Sequence, residues 1–274
     1  MKTTYTFHSH THRCGHAKGD IEDYLKLGLK NNITIYGVSD HVFLPGVVQK
    51  GTRGDYSLLD EYIGVYKDAK AKYENKIEMY LGFECEYGDC VADYYKSLLL
   101  DKGFDFLICG QHCHFDVNKQ PHFYSDTLEG IELYKNDIID AMKSGLFFYI
   151  AHPDLFFIFF REVTDLAKRI TKEIIDAAIK YDAVLEINRH GFLRKRDRFN
   201  TSIIEYPCDY FWSEVAKTNL KVVVGGDFHD PAEIEDKDLE DKLDSLVEKY
   251  NLKLTDIKDV YKDYRERIKK TLWE

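Results

Sequence analysis

The sequence alternates between short, apolar, β-rich segments and longer amphipathic segments. The predicted strands are residues 3–9, 33–39, 77–84, 104–109, 147–150, 183–187 and 221–225. The predicted helices are residues 21–31, 58–73, 91–100, 128–144, 163–181, 210–218, 239–250 and 256–271. Such alternation is typical of parallel strands connected by crossover helices. It predicts an α/β barrel that has one strand fewer than the usual eight, or one that is distorted.

Histidine, carboxylate and amide residues lie at or just after the end of every predicted strand. They are His8 and His10, Asp40 and His41, Glu84, His112 and His114, His152, Glu186 and Asn188, and Asp227 and His229. Parallel α/β folds place their chemistry at the carboxyl ends of the strands. Residues far apart in the sequence are therefore predicted to meet at one mouth of the barrel.

Two of these clusters have the spacing i, i+2. Because such side chains point to the same face of a strand, His8 and His10 can share one cation. Asp227 and His229 repeat the spacing after Gly225-Gly226, where glycine lets the backbone approach a site closely. The spacing predicts that both pairs bind metal.

Four further residues extend the predicted metal site. Glu84 can bridge two ions with its two oxygens, and His112 and His152 complete a nitrogen-rich set. His16 lies in a loop six residues after His10, and from there it can reach a different ion.

The alternative is that these residues have structural roles. A single histidine at a strand end is more often a hydrogen-bonded structural residue, and Glu84 could pair with an arginine. Coincidence at several strand ends favours a site with several metal ions. Among the other histidines, we expect His12 to be a solvated loop residue and His114 to lie behind the ligands if it contributes at all, while His122 and His190 could touch substrate.

Length and charge restrict the class of protein. The 274 residues fit one domain, residues 1–274, because a barrel of this kind commonly needs about 200–250 residues. A net charge of −10 does not favour a nucleic-acid partner, which usually meets a basic face. An acidic protein that binds a phosphate ester needs local positive charge, and bound metal ions would supply it.

The distribution of apolar residues bears on location. No apolar run approaches the roughly 18–20 residues of a membrane span. The N-terminus lacks the apolar core of a secretory signal, so we expect a cytoplasmic protein without a membrane partner. Its six cysteines are then expected to be reduced.

Together, these motifs resemble the polymerase and histidinol phosphatase (PHP) family, and specifically its histidinol-phosphate phosphatase branch. The resemblance is carried by His8-Ser9-His10, Cys14-Gly15-His16, Gly37-Val38-Ser39-Asp40-His41, Gly82-Phe83-Glu84, Gly110-Gln111-His112, Ala151-His152-Pro153-Asp154, Glu186-Ile187-Asn188 and Gly226-Asp227-Phe228-His229-Asp230-Pro231. The motifs occur in the family's order. They imply a distorted, TIM-like (β/α)7 barrel with three divalent ions of zinc, iron or manganese, or a mixture of them, at the carboxyl ends of the strands.

The resemblance also implies how the ligands are divided among the ions. His8, His10, Glu84 and Asp227 would hold the first ion, Glu84, His112 and His152 the second, and His16, His41 and His229 the third, with Asp40 beside the third as ligand or orienter. Phe228 stands where relatives often carry a small residue. This difference would reshape the pocket and leave both neighbouring ligands in place.

The activity that the resemblance implies is hydrolysis of L-histidinol phosphate to L-histidinol and phosphate, in histidine biosynthesis. The cations would activate a hydroxide, neutralise the phosphoryl oxygens and hold the attack in line. The predicted catalytic residues are Glu84, which bridges ions, and Asp227 and His229, either of which could shuttle the proton.

Three rival functions stay open on the sequence. The first is a PHP-type phosphoesterase or exonuclease that acts on another phosphate ester or on DNA ends. The second is an amidohydrolase-type barrel, which also begins with a strand-end His-x-His but usually lacks the late Asp-x-His. The third is a metal- or phosphate-sensing module, which would need an incomplete ligand set.

Arginines form a second predicted feature of the site. Arg161 follows the apolar run after His152, and Arg196 belongs to a basic stretch after the sixth strand. Either stretch could be a solvated loop. Because a guanidinium binds phosphate with two parallel hydrogen bonds, we predict that Arg161 and Arg196 bind the substrate.

Overall fold

The computed structural model describes residues 3–193 and 204–273. Its parallel strands form the wall of a barrel. The strands are β1 (Tyr5–Thr6), β2 (Ile35–Val38), β3 (Glu78–Cys85), β4 (Phe106–Cys109), β5 (Cys113–Phe115), β6 (Pro121–Phe123), β7 (Leu185–Asn188) and β8 (Val222–Gly225). β1 to β4 form one parallel sheet in chain order, and β7 and β8 form a parallel pair. β5 and β6 form a separate antiparallel hairpin.

Three single-residue bridges join these sheets. Ile150 pairs in parallel with Cys109 of β4 and with Leu185 of β7. On the opposite side, Ser9 pairs in parallel with Phe228, which joins the ends of β1 and β8. The wall therefore has seven segments, of which the predicted strand at 147–150 contributes only the bridge. The predicted distorted seven-stranded barrel is confirmed.

Helices cover the outside of the barrel. They are α1 (Ile21–Lys30), α2 (Leu59–Tyr73), α3 (Asp89–Asp101), α4 (Leu128–Ser144), α5 (Asp165–Lys180), α6 (Asp209–Val215), α7 (Lys237–Tyr250) and α8 (Ile257–Trp273). Each corresponds to a predicted helix, although α6 ends three residues before its predicted end. In the described ranges no helix is long and apolar enough to cross a membrane.

Aromatic rings fill the interior of the barrel. Phe7, Phe106 and Phe148 pack edge to face, with ring centroids 5.0–5.9 Å apart. A side chain at Gly82 would collide with the Phe106 ring, because a Cβ there would lie 2.4 Å from its Cζ. Glycine at this position therefore lets the rings fill the barrel, as in other barrels whose interior is packed.

Helix α8 covers the end of the barrel at which the strands begin. The Tyr264 hydroxyl accepts a hydrogen bond from Leu107 N and donates one to Leu146 O. Arg265 donates to Asp105 O, just before β4. Because the amino-terminal end is closed in this way, the carboxyl ends of the strands form the open mouth.

Candidate metal centre

Backbone pairing places ligands from distant parts of the chain side by side. His10 N donates to Phe228 O over 2.8 Å, so the pair His8 and His10 lies against Asp227. His41 pairs in parallel with Glu84, which extends the pairing of β2 and β3 into the mouth. The convergence predicted from the strand ends is therefore built from backbone register.

The two oxygens of Glu84 face different histidines. Oε1 lies 3.2 Å from His8 Nε2 and 3.0 Å from His152 Nε2. Oε2 lies 3.4 Å from His10 Nε2 and 3.0 Å from His41 Nδ1. This arrangement allows one carboxylate to contact two cations.

Asp227 completes a compact group with the first histidine pair. Its Oδ1 lies 3.4 Å from His8 Nε2 and 3.0 Å from His10 Nε2. Donor atoms about 2.0–2.1 Å from a tetrahedral zinc ion are about 3.3 Å from each other. The three residues form one of the groups that could hold a metal ion.

A second cluster of histidines lies nearer the surface. His10, His41 and His229 form another possible metal group, and the His10 ring lies 4.3 Å from each of the other two. His16 Nε2 lies 3.0 Å from His229 Nε2. His10 therefore lies between two groups, whereas the resemblance assigns it to the first ion alone.

His152 lies on the opposite side of Glu84. It forms a group with His8 and Glu84 that could hold a metal ion. The predicted neighbour His112 is farther from this carboxylate, with its Nε2 3.7 Å from Glu84 Oε1. His152 has φ of 31° and Asp227 has φ of 50°, strained values for residues with a side chain that recur at functional sites.

The donor atoms fit metal ions, because several are buried and have no hydrogen-bond partner. They include His8 Nε2, both ring nitrogens of His10, His41 Nδ1 and Glu84 Oε2. Leaving such atoms without a partner in the interior is costly, and a cation at these positions would satisfy them. Imidazole and carboxylate ligands together suit zinc, iron or manganese.

Electrostatics keep the carboxylates ionised. Burial by itself raises the pKa of Glu84, but the nearby histidines, His8 foremost, hold that pKa well below its usual range. Asp227 behaves in the same way and for the same reason. Burial and the neighbouring imidazoles lower the pKa of His229 to about 4, against the attraction of Asp227.

Glu186 and Asn188 contact the predicted ligands from behind. Oε1 of Glu186 lies 2.8 Å from His8 Nδ1, and Oε2 accepts hydrogen bonds from His152 N and Asn188 Nδ2. The same Asn188 amide donates to Asp227 Oδ2 over 3.1 Å. These two residues connect three predicted ligands, a role that their place at a strand end did not reveal.

Asp40 lies beside His10. Its Oδ1 is 3.8 Å from His10 Nδ1, and it accepts hydrogen bonds from the backbone N–H and the hydroxyl of Thr11. Burial raises the pKa of this carboxyl to about 7. Its role as ligand or orienter stays a prediction.

Glu86 was not predicted to belong to the site. It follows Glu84 by two residues and its Oε1 lies 3.1 Å from His112 Nδ1. The signal that could have found it is the spacing i, i+2 at the end of β3, the same spacing that identified the first histidine pair.

Phe228, the large residue expected to reshape the pocket, is part of the core. It is buried in the core, its ring lies 5.2 Å from the Arg189 guanidinium, and a Cβ at Gly226 would collide with it. Its ring therefore packs in the core, whereas Asp227 and His229 contact histidines of the site.

Of the two predicted phosphate-binding arginines, the structure describes Arg161. Arg161 is exposed, and Phe156, Phe157 and Phe160 before it are buried, as expected for a run that packs its loop down. Arg196 lies outside the described residues. Neither role is tested by the geometry.

The remaining histidines have other surroundings. His12 is exposed, as expected for a solvated loop residue, His114 contacts Asp137, and His122 contacts Asp116 in the hairpin. His190 lies close to the site, with its ring 4.7 Å from that of His229.

Comparison with known proteins identifies the family. Residues 6–190, more than half of the chain, match the PHP domain. The chain belongs to the PHP domain family. The match ends before β8, but the backbone pairing of this PHP domain brings Asp227 and His229 to predicted ligands from the matched part.

Individual relatives are similar over most of their length. The "probable histidinol-phosphatase" of Deinococcus radiodurans is 24% identical over 237 residues, which is 83% of this chain and 86% of that protein. A "probable phosphatase" of Acetivibrio thermocellus is 23% identical over 235 residues, which is 84% of this chain and 80% of that protein.

A solved structure supports the fold. The histidinol phosphate phosphatase of Lactococcus lactis subsp. lactis, in complex with zinc, L-histidinol and phosphate, superimposes with a TM-score of 0.67. The match covers 92% of this chain and 95% of that chain at 17% identity.

Proposed function

We propose that this PHP domain hydrolyses L-histidinol phosphate to L-histidinol and phosphate, with three divalent ions of zinc, iron or manganese, and that residues 1–274 act as one catalytic domain. The observation that carries the proposal is the Glu84 carboxylate, whose two oxygens face different histidine groups. The relatives named as histidinol phosphatases support the choice of substrate.

The bound ions and the residues around them have separate roles in this proposal. When bound, divalent ions neutralise phosphoryl oxygens and lower the pKa of water, which makes the slow hydrolysis of a phosphate monoester possible. Glu84 would fix the spacing between ions, and Glu186 orients His8. Asp227 and His229 lie beside the histidine groups and are assigned the transfer of the proton.

Substrate binding is assigned to two arginines, as the sequence predicts. Arg161 and Arg196 would bind phosphoryl oxygens that the ions leave free. L-Histidinol phosphate carries an ammonium group and an imidazole, which suit a protein of net charge −10, whereas a nucleic-acid backbone would be repelled.

The experiment is a substrate panel with metal-loaded protein. We expect kcat/KM for L-histidinol phosphate to exceed that for p-nitrophenyl phosphate by at least about tenfold, equal to about 1.4 kcal/mol of transition-state binding. A single-stranded oligonucleotide should remain intact. The variant Glu84→Ala is the control for contaminating phosphatase. Efficient degradation of the oligonucleotide, with weak phosphate release from L-histidinol phosphate, would favour the nuclease instead.

A further inference from the structure

Arg53 is a buried cation next to the metal centre. It is 4% exposed, and it lies in the long connection between β2 and α2. One terminal nitrogen, Nη1, donates to Val42 O over 3.0 Å, and Nε donates to Gln49 Oε1. Val42 directly follows His41. The guanidinium therefore holds the chain just beyond one of the predicted ligands.

The other terminal nitrogen binds a buried carboxylate. Arg53 Nη2 lies 2.8 Å from Glu86 Oε2, and Glu86 is 1% exposed. Among the lysines and arginines that the structure describes, only Arg53 contacts this carboxylate. Because an uncompensated buried charge is strongly unfavourable, the position of Glu86 depends on Arg53.

The second oxygen of Glu86 faces a predicted ligand. Glu86 Oε1 lies 3.1 Å from His112 Nδ1, and the opposite ring nitrogen, Nε2, faces Glu84 Oε1 at 3.7 Å. A carboxylate at one ring nitrogen fixes the tautomer and the orientation of a metal-binding histidine. His112 needs such support, because it is only half-buried on the chain just before the hairpin of β5 and β6.

Glu86 itself is better suited to positioning than to ligation. It lies close enough to His41 and His112 to form a group that could hold a metal ion. Its Oε2 is bound by the Arg53 guanidinium, a contact that Glu84 lacks, and its Oε1 faces Nδ1 of His112, the ring nitrogen opposite the one that faces Glu84. The guanidinium charge would also repel a cation placed beside this carboxylate.

We propose that Arg53 is a positioning residue of the metal centre, which acts through Glu86 to hold His112 in the orientation that binds an ion. This inference rests on the proposed function only in requiring that the centre binds metal. It does not depend on the substrate.

The test measures stepwise zinc affinity of the apoprotein by competition with a chromophoric chelator. Arg53→Met should weaken binding of one ion of the set by about 10–100-fold, the usual effect of losing a group that orients a ligand. Arg53→Lys should recover part of this affinity, since it keeps the charge without the two-pronged geometry. The matched control is Lys72→Met, which removes an exposed ion pair with Glu22 and should leave every step within about twofold.

A double-mutant cycle shows whether Arg53 acts through Glu86. Once Glu86→Gln has removed the carboxylate, adding Arg53→Met should have little further effect on zinc affinity. If Arg53→Met does not fold, Arg53→Lys and Glu86→Gln carry the same test. Wild-type affinities in these variants, or independent and additive losses, would overturn the inference. Protein that binds zinc but does not hydrolyse L-histidinol phosphate would contradict the proposed function and leave the zinc measurement decisive for Arg53.

Discussion

Glu186 and His8 are joined inside the barrel by a contact of 2.8 Å between a carboxylate oxygen and Nδ1 of the imidazole. Both side chains are fully buried. The contact fixes the ring so that its other nitrogen points at Glu84 and Asp227. The orientation of a predicted ligand just after β1 is therefore set by a residue on β7.

Replacement of Glu186 tests this contact. In Glu186→Gln, an NH2 group replaces one of the carboxylate oxygens. This NH2 group must face either His8 or the donors His152 N and Asn188 Nδ2. We expect zinc affinity to fall by about 10–100-fold. Chelator competition measures it, and Glu235→Gln, at an exposed ion pair with Lys30, is the control. Unchanged affinity would mean that Glu186 does not orient its neighbour.

Gly225 provides a steric test of the same relationship. A Cβ at this position would lie 1.5 Å from Glu186 Oε1, so Gly225→Ala must displace the carboxylate. We expect the free energy of unfolding to fall by about 1–3 kcal/mol, the usual cost of overpacking, together with weaker zinc binding. Urea denaturation of the apoprotein measures the first effect.

Gly64→Ala is the matched control for that substitution. Gly64 lies in α2 with open space where a Cβ would be, so alanine should stabilise the protein by about 0.5–1 kcal/mol. Equal stability of the Gly225 and Gly64 variants would contradict the packing described for β8.

Glu84 is expected to matter for more than one ion. Because its oxygens face separate histidine groups, Glu84→Ala should lower the metal content by two ions per chain. It should also reduce kcat/KM by at least about 100-fold, which is the largest loss usually seen when a residue that only orients a ligand is removed. Elemental analysis and steady-state kinetics measure these effects. A variant that keeps its full metal content and turnover would show that the carboxylate is only structural.

Arg161 is expected to act on substrate and not on metal. A charged hydrogen bond is worth roughly 1.5–3 kcal/mol, so Arg161→Met should reduce kcat/KM about ten- to a hundred-fold with metal content unchanged. Arg161→Lys should recover little, because a point charge cannot replace a two-pronged contact. Wild-type kcat/KM in Arg161→Met would make this arginine a surface residue.

The barrel and the convergence of the candidate ligands could be predicted because both depend on local pattern. Strand ends carry polar residues such as His10 and Asp227, which are costly to bury in an apolar core. Parallel topology brings these strand ends together. The hairpin of β5 and β6 was missed, because strands of three residues are too short to show a period. The strand predicted at 147–150 is reduced to the bridge of Ile150.

Contacts between loops could not be predicted in the same way. Arg53 and Glu86 are 33 residues apart, and nothing in either segment indicates that they form a buried pair. Sequence patterns thus identified candidate ligands that converge in the structure, whereas the residues that contact them from behind emerged only from the folded structure.

The most direct test of the account is a titration of metal-free protein with zinc during turnover of L-histidinol phosphate. If Glu84 joins ions in one centre, phosphate release should be negligible without metal and should rise to a plateau between two and three equivalents per chain. Turnover that is independent of added metal, saturation at one equivalent, or no phosphate release at any loading would contradict the account.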